Sequence, residues 1–315
     1  MSSLSDTINI IFNANKPIIL IDGSMFYFKL YLRIVQEEWL YKLTHQSKIN
    51  YNELHNDADF LQHFTYNVKA FLENIIKSES LRYNIKNIEI DNIIFARDTP
   101  LQKNWRLSIY SDYKSGRPQM PEYNPFISII FWDTILPELG VHIIQQDTLE
   151  ADDLVYFSKK KLQLLYPLIQ ISIITEDKDY FQLADINTRI IDFGGKVIDN
   201  GSYNGAYDKA FKILIGDSSD NISNIFAGCG EVTARKILEK IDINLFFHKL
   251  KHYPLELVND IIKLLPIKKQ STLKAADIKD KLLFNASLID MNRIPSKFFE
   301  IFNNKYRFVD NRVNY

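Results

Sequence analysis

The sequence predicts an α/β protein: a central sheet whose strands end in carboxylates, followed by a helical region. Three observations predict it. Short β-branched apolar runs, PIILID, NIIFARD, VHIIQQ and ISIIT, alternate with longer segments of helical periodicity. Each run is followed by acidic residues: Asp22, then Asp98, then Glu150, Asp152 and Asp153, then Asp177 and Asp179. From about residue 204 the pattern is helical to the end, with lysines and arginines accumulating. Ligands of open α/β sheets bind outside the carboxyl ends of the strands, so carboxylates scattered in sequence can converge there.

The elements follow in order. Residues 17 to 22 form a first strand, and 88 to 97 a second; the aromatic-rich stretch 24 to 84 between them is a helical crossover. Pro100, Pro118, Pro121, Pro125 and Pro137 make any helix in 99 to 140 short or interrupted. VHIIQQ is a third strand, and LEADDLVYFSKKKLQLL an amphipathic helix burying Leu154, Val155, Leu162 and Leu165. ISIIT is a fourth strand, and TRIIDFGGKVIDNG a hairpin around Gly194 and Gly195. Ahead of the first strand, Leu4, Ile8 and Phe12 recur at spacings of four, a stripe expected to pack on its own domain, with docking on a sliding clamp as the alternative.

Composition bounds the function. With 315 residues, 46% of them apolar, the chain can bury a large core without staples. The single Cys229 excludes an internal disulfide framework and a cysteine-based zinc site, and the six histidines show no metal-binding spacing. No apolar stretch is long enough to span a bilayer, and the N-terminus lacks a signal-peptide pattern, so a cytoplasmic protein is expected. The formal net charge of −1 does not exclude a nucleic-acid partner, because an acidic metal cluster masks basic surface elsewhere.

A lone aspartate is usually a surface residue or a helix cap; the repeated coincidence with strand ends is what carries weight. Within DTLEADDL, Glu150 and Asp153 share a helix face, and Asp152 joins them only if Glu150 caps the helix. A set of carboxylates without histidine suits Mg²⁺ or Mn²⁺ rather than zinc, and two such ions about 3.5 to 4 Å apart can clamp a phosphodiester under attack. A haloacid-dehalogenase-type phosphatase also places aspartates at strand ends, but it needs a second Asp two residues after the first. Here Asp22 is followed by Gly23 and Ser24.

Two further segments suit nucleic acid. In NWRLSIYSDYKSGRP, helical spacing aligns Arg106, Tyr110, Tyr113 and Arg117, with Lys114 beside them; the stripe is suited to holding phosphates and stacking bases, or to half-burying its tyrosines. In NIFAGCGEVTARKILEK, a turn with Gly228 and Gly230 leads into a helix carrying Arg235 and Lys236, where backbone amides can meet a phosphate. From Arg235 to Lys281 there are eleven basic residues against six acidic ones, which favours this over an ordinary turn.

IDGSMFYFKLYLR, NWRLSIYSDYKSGRPQMPE, LEADDL, TEDKDYFQL and IGDSSDNISNIFAGCGEVTARKIL occur in the order found in the 5′-nuclease family. The chain resembles the nuclease domain of bacterial DNA polymerase I and the phage flap endonucleases, most closely phage members with ribonuclease H activity. This resemblance implies a PIN-like fold over residues 1 to 203, with 99 to 140 as a helical insert or arch, and a helix–three-turn–helix duplex-binding motif in the helical region 204 to 315. It further implies two Mg²⁺ ions, replaceable by Mn²⁺. The first is held mainly by Asp22, Asp98, Glu150, Asp152 and Asp153, the second mainly by Asp179, Asp217 and Asp220, with Asp177 between them. Lys114 and Arg117 steer the scissile phosphate. Implied substrates are DNA and RNA/DNA duplexes with 5′ flaps, nicks or ends, cleaved 5′ to 3′ during lagging-strand replication and repair. Implied partners are a sliding clamp and single-strand-binding protein. Cys229 between the turn glycines, Glu176 before DKD and Arg97 before Asp98 depart from the family pattern, and none removes a ligand. A PIN-type RNA nuclease and a catalytically silent DNA-binding protein are the alternatives.

Overall fold

The computed structural model describes residues 7–39, 51–117, 123–199 and 205–312. Leu4, Pro118 and Pro121, named above, lie outside them. Strand β1 (Ile8–Phe12) stands apart from the main sheet, which comprises β2 (Ile18–Asp22), β3 (Ile93–Ala96), β4 (His142–Ile144), β5 (Ile171–Ile174) and β6 (Thr188–Ile191). Their order is β4-β3-β2-β5-β6 and every pairing is parallel. All carboxyl ends therefore lie along one edge of the sheet.

Continuous apolar runs are what a parallel sheet covered on both faces requires. The side chains alternate accordingly. Ile19, Ile21, Ile93 and Phe95 enter a core with α1 (Gly23–Arg33) and α2 (Ala58–Arg82). Asn124 caps the short α3 (Pro125–Ile130), which a π-helical turn, Phe131–Ile135, extends into that same core. On the opposite face Ile18, Leu20, Ile94 and Ile173 pack against Leu154, Val155 and Leu162 of α4 (Ala151–Leu165).

A third core joins α5 (Gly205–Ile215), α6 (Glu231–Leu238), α7 (Ile243–His252), α8 (Pro254–Lys263) and α9 (Ala275–Ile289). Tyr113, from the segment after β3, is buried in this helical core. It ties the two halves together.

Three expectations change. The chain is not helical to its end: after α10 (Ser296–Lys305), strand β7 (Tyr306–Asp310) pairs in parallel with β1, and Phe302, Tyr306 and Phe308 return to the sheet core. The stripe ahead of the first strand lies in a strand: Phe12 is buried in its own domain as expected, but Ile10 is buried with it while Ile8 is exposed. The glycine hairpin is a tight turn with one antiparallel bridge, Ile191 to Val197, because β6 is committed to β5. Among the described residues, no helix is long and apolar enough to cross a membrane.

Candidate active site

The strand ends build a pocket of about 660 Å³. Asp22, Asp98, Glu150, Asp152, Asp177, Asp179 and Asp220 line it, with Lys114 and Arg117 among them. Asp22 closes β2 and caps α1, accepting from the Met25 amide at 3.0 Å and the Thr175 hydroxyl at 3.1 Å. Asp98, just past β3, accepts from the Ala151 amide at 2.6 Å, which fixes it to the start of α4. Asp177, just past β5, accepts from the Asp179 amide at 2.9 Å and so shapes the turn that presents both.

Burial and mutual repulsion raise the carboxyls on this side of the pocket above the usual carboxylate range. Asp22 is raised to about 7 by burial, with Asp98 and Asp177 adding to it. Burial and Glu150 raise Asp98; burial and Asp153 raise Asp152. Burial also raises Asp177, against the pull of Lys212. The buried hydroxyl of Tyr180, on the pocket wall, has no hydrogen-bond partner. A hard divalent cation fits such a set: all donors are oxygens, and protonation is otherwise the relief available to them.

The opposite side is compensated. Burial alone would raise Glu150, yet Lys114 and Arg106 outweigh it and hold its carboxyl at about 2. Lys114 contacts Glu150 directly and lies 3.9 Å from Asp220, while Arg117 bonds Asp220 at 2.8 Å. Lys114 adopts a left-handed backbone, φ +58°, and its amide donates to the Asp220 carbonyl at 3.2 Å. Such a conformation costs a non-glycine residue roughly 1 kcal/mol or more, and here it turns the ammonium into the pocket. Asp179, Asp217 and Asp220 offer oxygens within 4.8 Å of one another, so this set could hold a cation beside the Asp22 side of the pocket. Gly216 makes that turn possible: φ is +73°, and an added Cβ would lie 2.4 Å from the Ile222 carbonyl oxygen.

Three of the expected residues serve elsewhere. Asp153 is fully buried and faces away from the pocket, accepting from Trp105 at 2.9 Å and from Arg106 at 2.8 and 2.9 Å. It does not line the pocket, and its charge is paired with Arg106. Arg106, 3% exposed, is the guanidinium buried between Asp153 and Glu150, not a phosphate contact. Tyr113 is buried too, donating to Glu150 at 2.8 Å and Asp220 at 3.0 Å, so no base can stack on it. The helical stripe does not form: residues 105–108 are a 3₁₀ turn and the rest are turns. Tyr110 is half-buried and donates to the Asn221 carbonyl at 3.0 Å.

Gly228 and Gly230 are exposed in a turn leading into α6, with Gly228 at φ +80°, and Arg235 and Lys236 are exposed on that helix. Buried Cys229 anchors the turn in the helical core. Sequence reasoning missed four groups. Trp105 and Thr175 orient carboxylates; Lys269 bonds the Gly228 carbonyl at 3.3 Å; Lys212 contacts Asp179 and bonds Asp217 at 2.8 Å. Only Lys212 carries a sequence signal, a cation five residues before Asp217 on the helix entering IGDSSD.

Residues 17–210 match the family model of the 5′-3′ exonuclease N-terminal, resolvase-like domain. The chain belongs to the 5′-3′ exonuclease family. It is 29% identical to a 5′-3′ exonuclease of Buchnera aphidicola subsp. Schizaphis graminum over 237 residues, 73% of this chain and 72% of that one. It is 30% identical to the flap endonuclease Xni of Colwellia psychrerythraea over 143 residues, 43% of this chain and 48% of that one. A bacteriophage T5 D15 flap endonuclease, solved with DNA and metal ions, shares the fold: the TM-score is 0.53 at 17% identity, covering 88% of this chain and 89% of that one. The chain is thus a nuclease of the exonuclease and flap endonuclease kind.

Proposed function

We propose that this family member is a Mg²⁺-dependent 5′ to 3′ exonuclease and flap endonuclease, with Mn²⁺ able to substitute, acting on nicked or branched duplexes. The observation that carries the reading is the asymmetry of the pocket: Asp22 and Asp98 have no ion-pair partner among the described residues, and Asp152 and Asp177 are raised despite nearby cations, while Lys114 and Arg117 stand on the other side. Two bound ions would supply an activated water and stabilise the leaving 3′ oxygen. The chain's own groups do the rest. Glu150 and Asp220 hold Lys114 protonated against its burial, so it serves as a fixed cation for the scissile phosphate and not as a base. The exposed amides of the Gly228–Gly230 turn, with Arg235, Lys236 and Lys269 close by, suit the backbone of an intact duplex.

Removal of RNA primers in lagging-strand synthesis is the biological role this specificity suits. The T5 flap endonuclease solved with DNA and metal ions supports the substrate class by analogy of fold. The test is a labelled 5′-flap duplex and an RNA-primed duplex, each with Mg²⁺, with Mn²⁺ and with EDTA. Cleavage of both, lost in EDTA and in Asp98→Asn and Asp177→Asn, is expected. Cleavage that survives EDTA or either substitution overturns the metal reading, and an intact RNA primer overturns the primer role.

A further inference from the structure

The Asp179, Asp217 and Asp220 locus already holds a cation of the protein's own. Lys212 projects from the last turn of α5, contacts Asp179 and bonds Asp217 at 2.8 Å. All three side chains are largely shielded, at 19%, 20% and 14% exposure, so the ammonium sits inside the cluster rather than in solvent. Asp217 also accepts from the Ser219 amide and hydroxyl at 2.8 and 2.7 Å, so it is already ordered without any ion. On the other side of the pocket no ion pair involves Asp22 or Asp98 among the described residues, whereas Glu150 contacts Lys114 and Asp152 lies 3.9 Å from Arg106.

Lys212 and Asp217 also line a groove of about 1,090 Å³, together with Lys178, Phe211, Glu231 and Arg235. An ion entering between Asp179 and Asp217 must displace or repel the ammonium, since like charges at such distances oppose each other strongly.

We propose that Lys212 is the resident counter-cation of the second metal locus, keeping Asp179 and Asp217 in place without metal and weakening divalent binding there relative to the Asp22 side. The inference rests on the metal reading above and adds a residue that sets the order of filling: the first ion meets Asp22 and Asp98, which have no ion-pair partner among the described residues, and the second competes with a lysine. Lys212 is a positioning residue, acting through the carboxylates.

The test is a Mn²⁺ titration without DNA, by calorimetry and by electron paramagnetic resonance, of the wild type, Lys212→Met, Lys212→Arg and Lys178→Met. Lys178→Met removes an equal charge from the same groove wall as a control. The wild type is expected to bind one Mn²⁺ more tightly than the second. Lys212→Met should tighten the second by roughly ten-fold or more, because an opposing charge is gone. Lys212→Arg should keep the second ion weak, and Lys178→Met should leave it within a few-fold of wild type. In EDTA, Lys212→Met should melt below the wild type, and Mn²⁺ should restore it by more than it raises the wild type. Unchanged or weaker second-ion affinity in a folded Lys212→Met protein overturns the counter-cation role while leaving the metal reading intact. A wild type that binds no Mn²⁺ overturns both.

Discussion

Asp152 and Asp153 adjoin in sequence and face opposite environments. Asp152 lines the pocket, whereas Asp153 is sealed beneath it by Trp105 and Arg106. The sequence pointed to both aspartates of LEADDL as ligands and could not tell which one faces the pocket, because the partner that claims Asp153 lies 47 residues away. Two predictions separate the roles. Asp152→Asn should slow cleavage with little loss of stability. Asp153→Ala should leave Arg106 buried without its main partner and cost about 3–5 kcal/mol, read by urea denaturation. A stable Asp153→Ala protein with normal activity would contradict this assignment. Tyr180→Phe addresses the unpartnered hydroxyl: in EDTA it should melt no lower than wild type and up to about 1–3 kcal/mol more stable, since it removes a buried unsatisfied group. A clear loss of stability would show that the hydroxyl has a partner in the metal-free protein.

At the scale of elements, the strands of the main sheet and the crossover helices were legible because a doubly covered parallel strand has one signature, a short β-branched run, and few competitors. The stripe at residues 105 to 117 was not. Spacings of three and four fit a helix, but Lys114 at positive φ breaks it, and Glu150 and Asp220 draw Tyr113 and Lys114 inward. β1 was missed for a related reason. INIIF pairs with a strand near residue 310, a partner no local pattern reveals. Burial of Phe12 predicts that Phe12→Ala costs about 3–5 kcal/mol in thermal or urea unfolding, as expected of a core strand and not of a free docking motif. For the turn before α6, reversing charge at Arg235 and Lys236 should weaken binding to a nicked duplex. It should also reduce the slope of log K against log salt by roughly one to two units, measured by fluorescence anisotropy. An unchanged slope would mean that this helix does not face DNA.

The whole molecule concentrates charge where its three cores meet, and that sets how its stability responds to pH. Asp22 is raised from 3.8 to about 7, and Asp98, Asp152 and Asp177 are raised as well. In the metal-free protein these carboxyls keep protons that the unfolded chain has already released. Between about pH 4 and 7 the folded state therefore binds more protons, so stability falls as pH rises. Their contribution is complete below the ordinary carboxylate range and is lost as pH climbs through the raised values. Glu150 and Asp217, held at about 2, behave oppositely, but their contribution fades as pH falls from about 5 towards 2 and is constant from pH 5 to 8. The melting temperature in EDTA should thus decline from pH 5.5 to 7.5, with Asp22 alone worth on the order of a few kcal/mol. Mg²⁺ binds the deprotonated carboxylates, so saturating Mg²⁺ should flatten or reverse the decline, and calorimetry at pH 6.5 should register proton release on binding. Asp22→Asn should shrink the decline in EDTA without abolishing it, because the other three carboxyls remain. A melting temperature in EDTA that stays level or rises across this window would show that the pocket carries no excess negative charge, and the case for a cation there would lose its electrostatic basis.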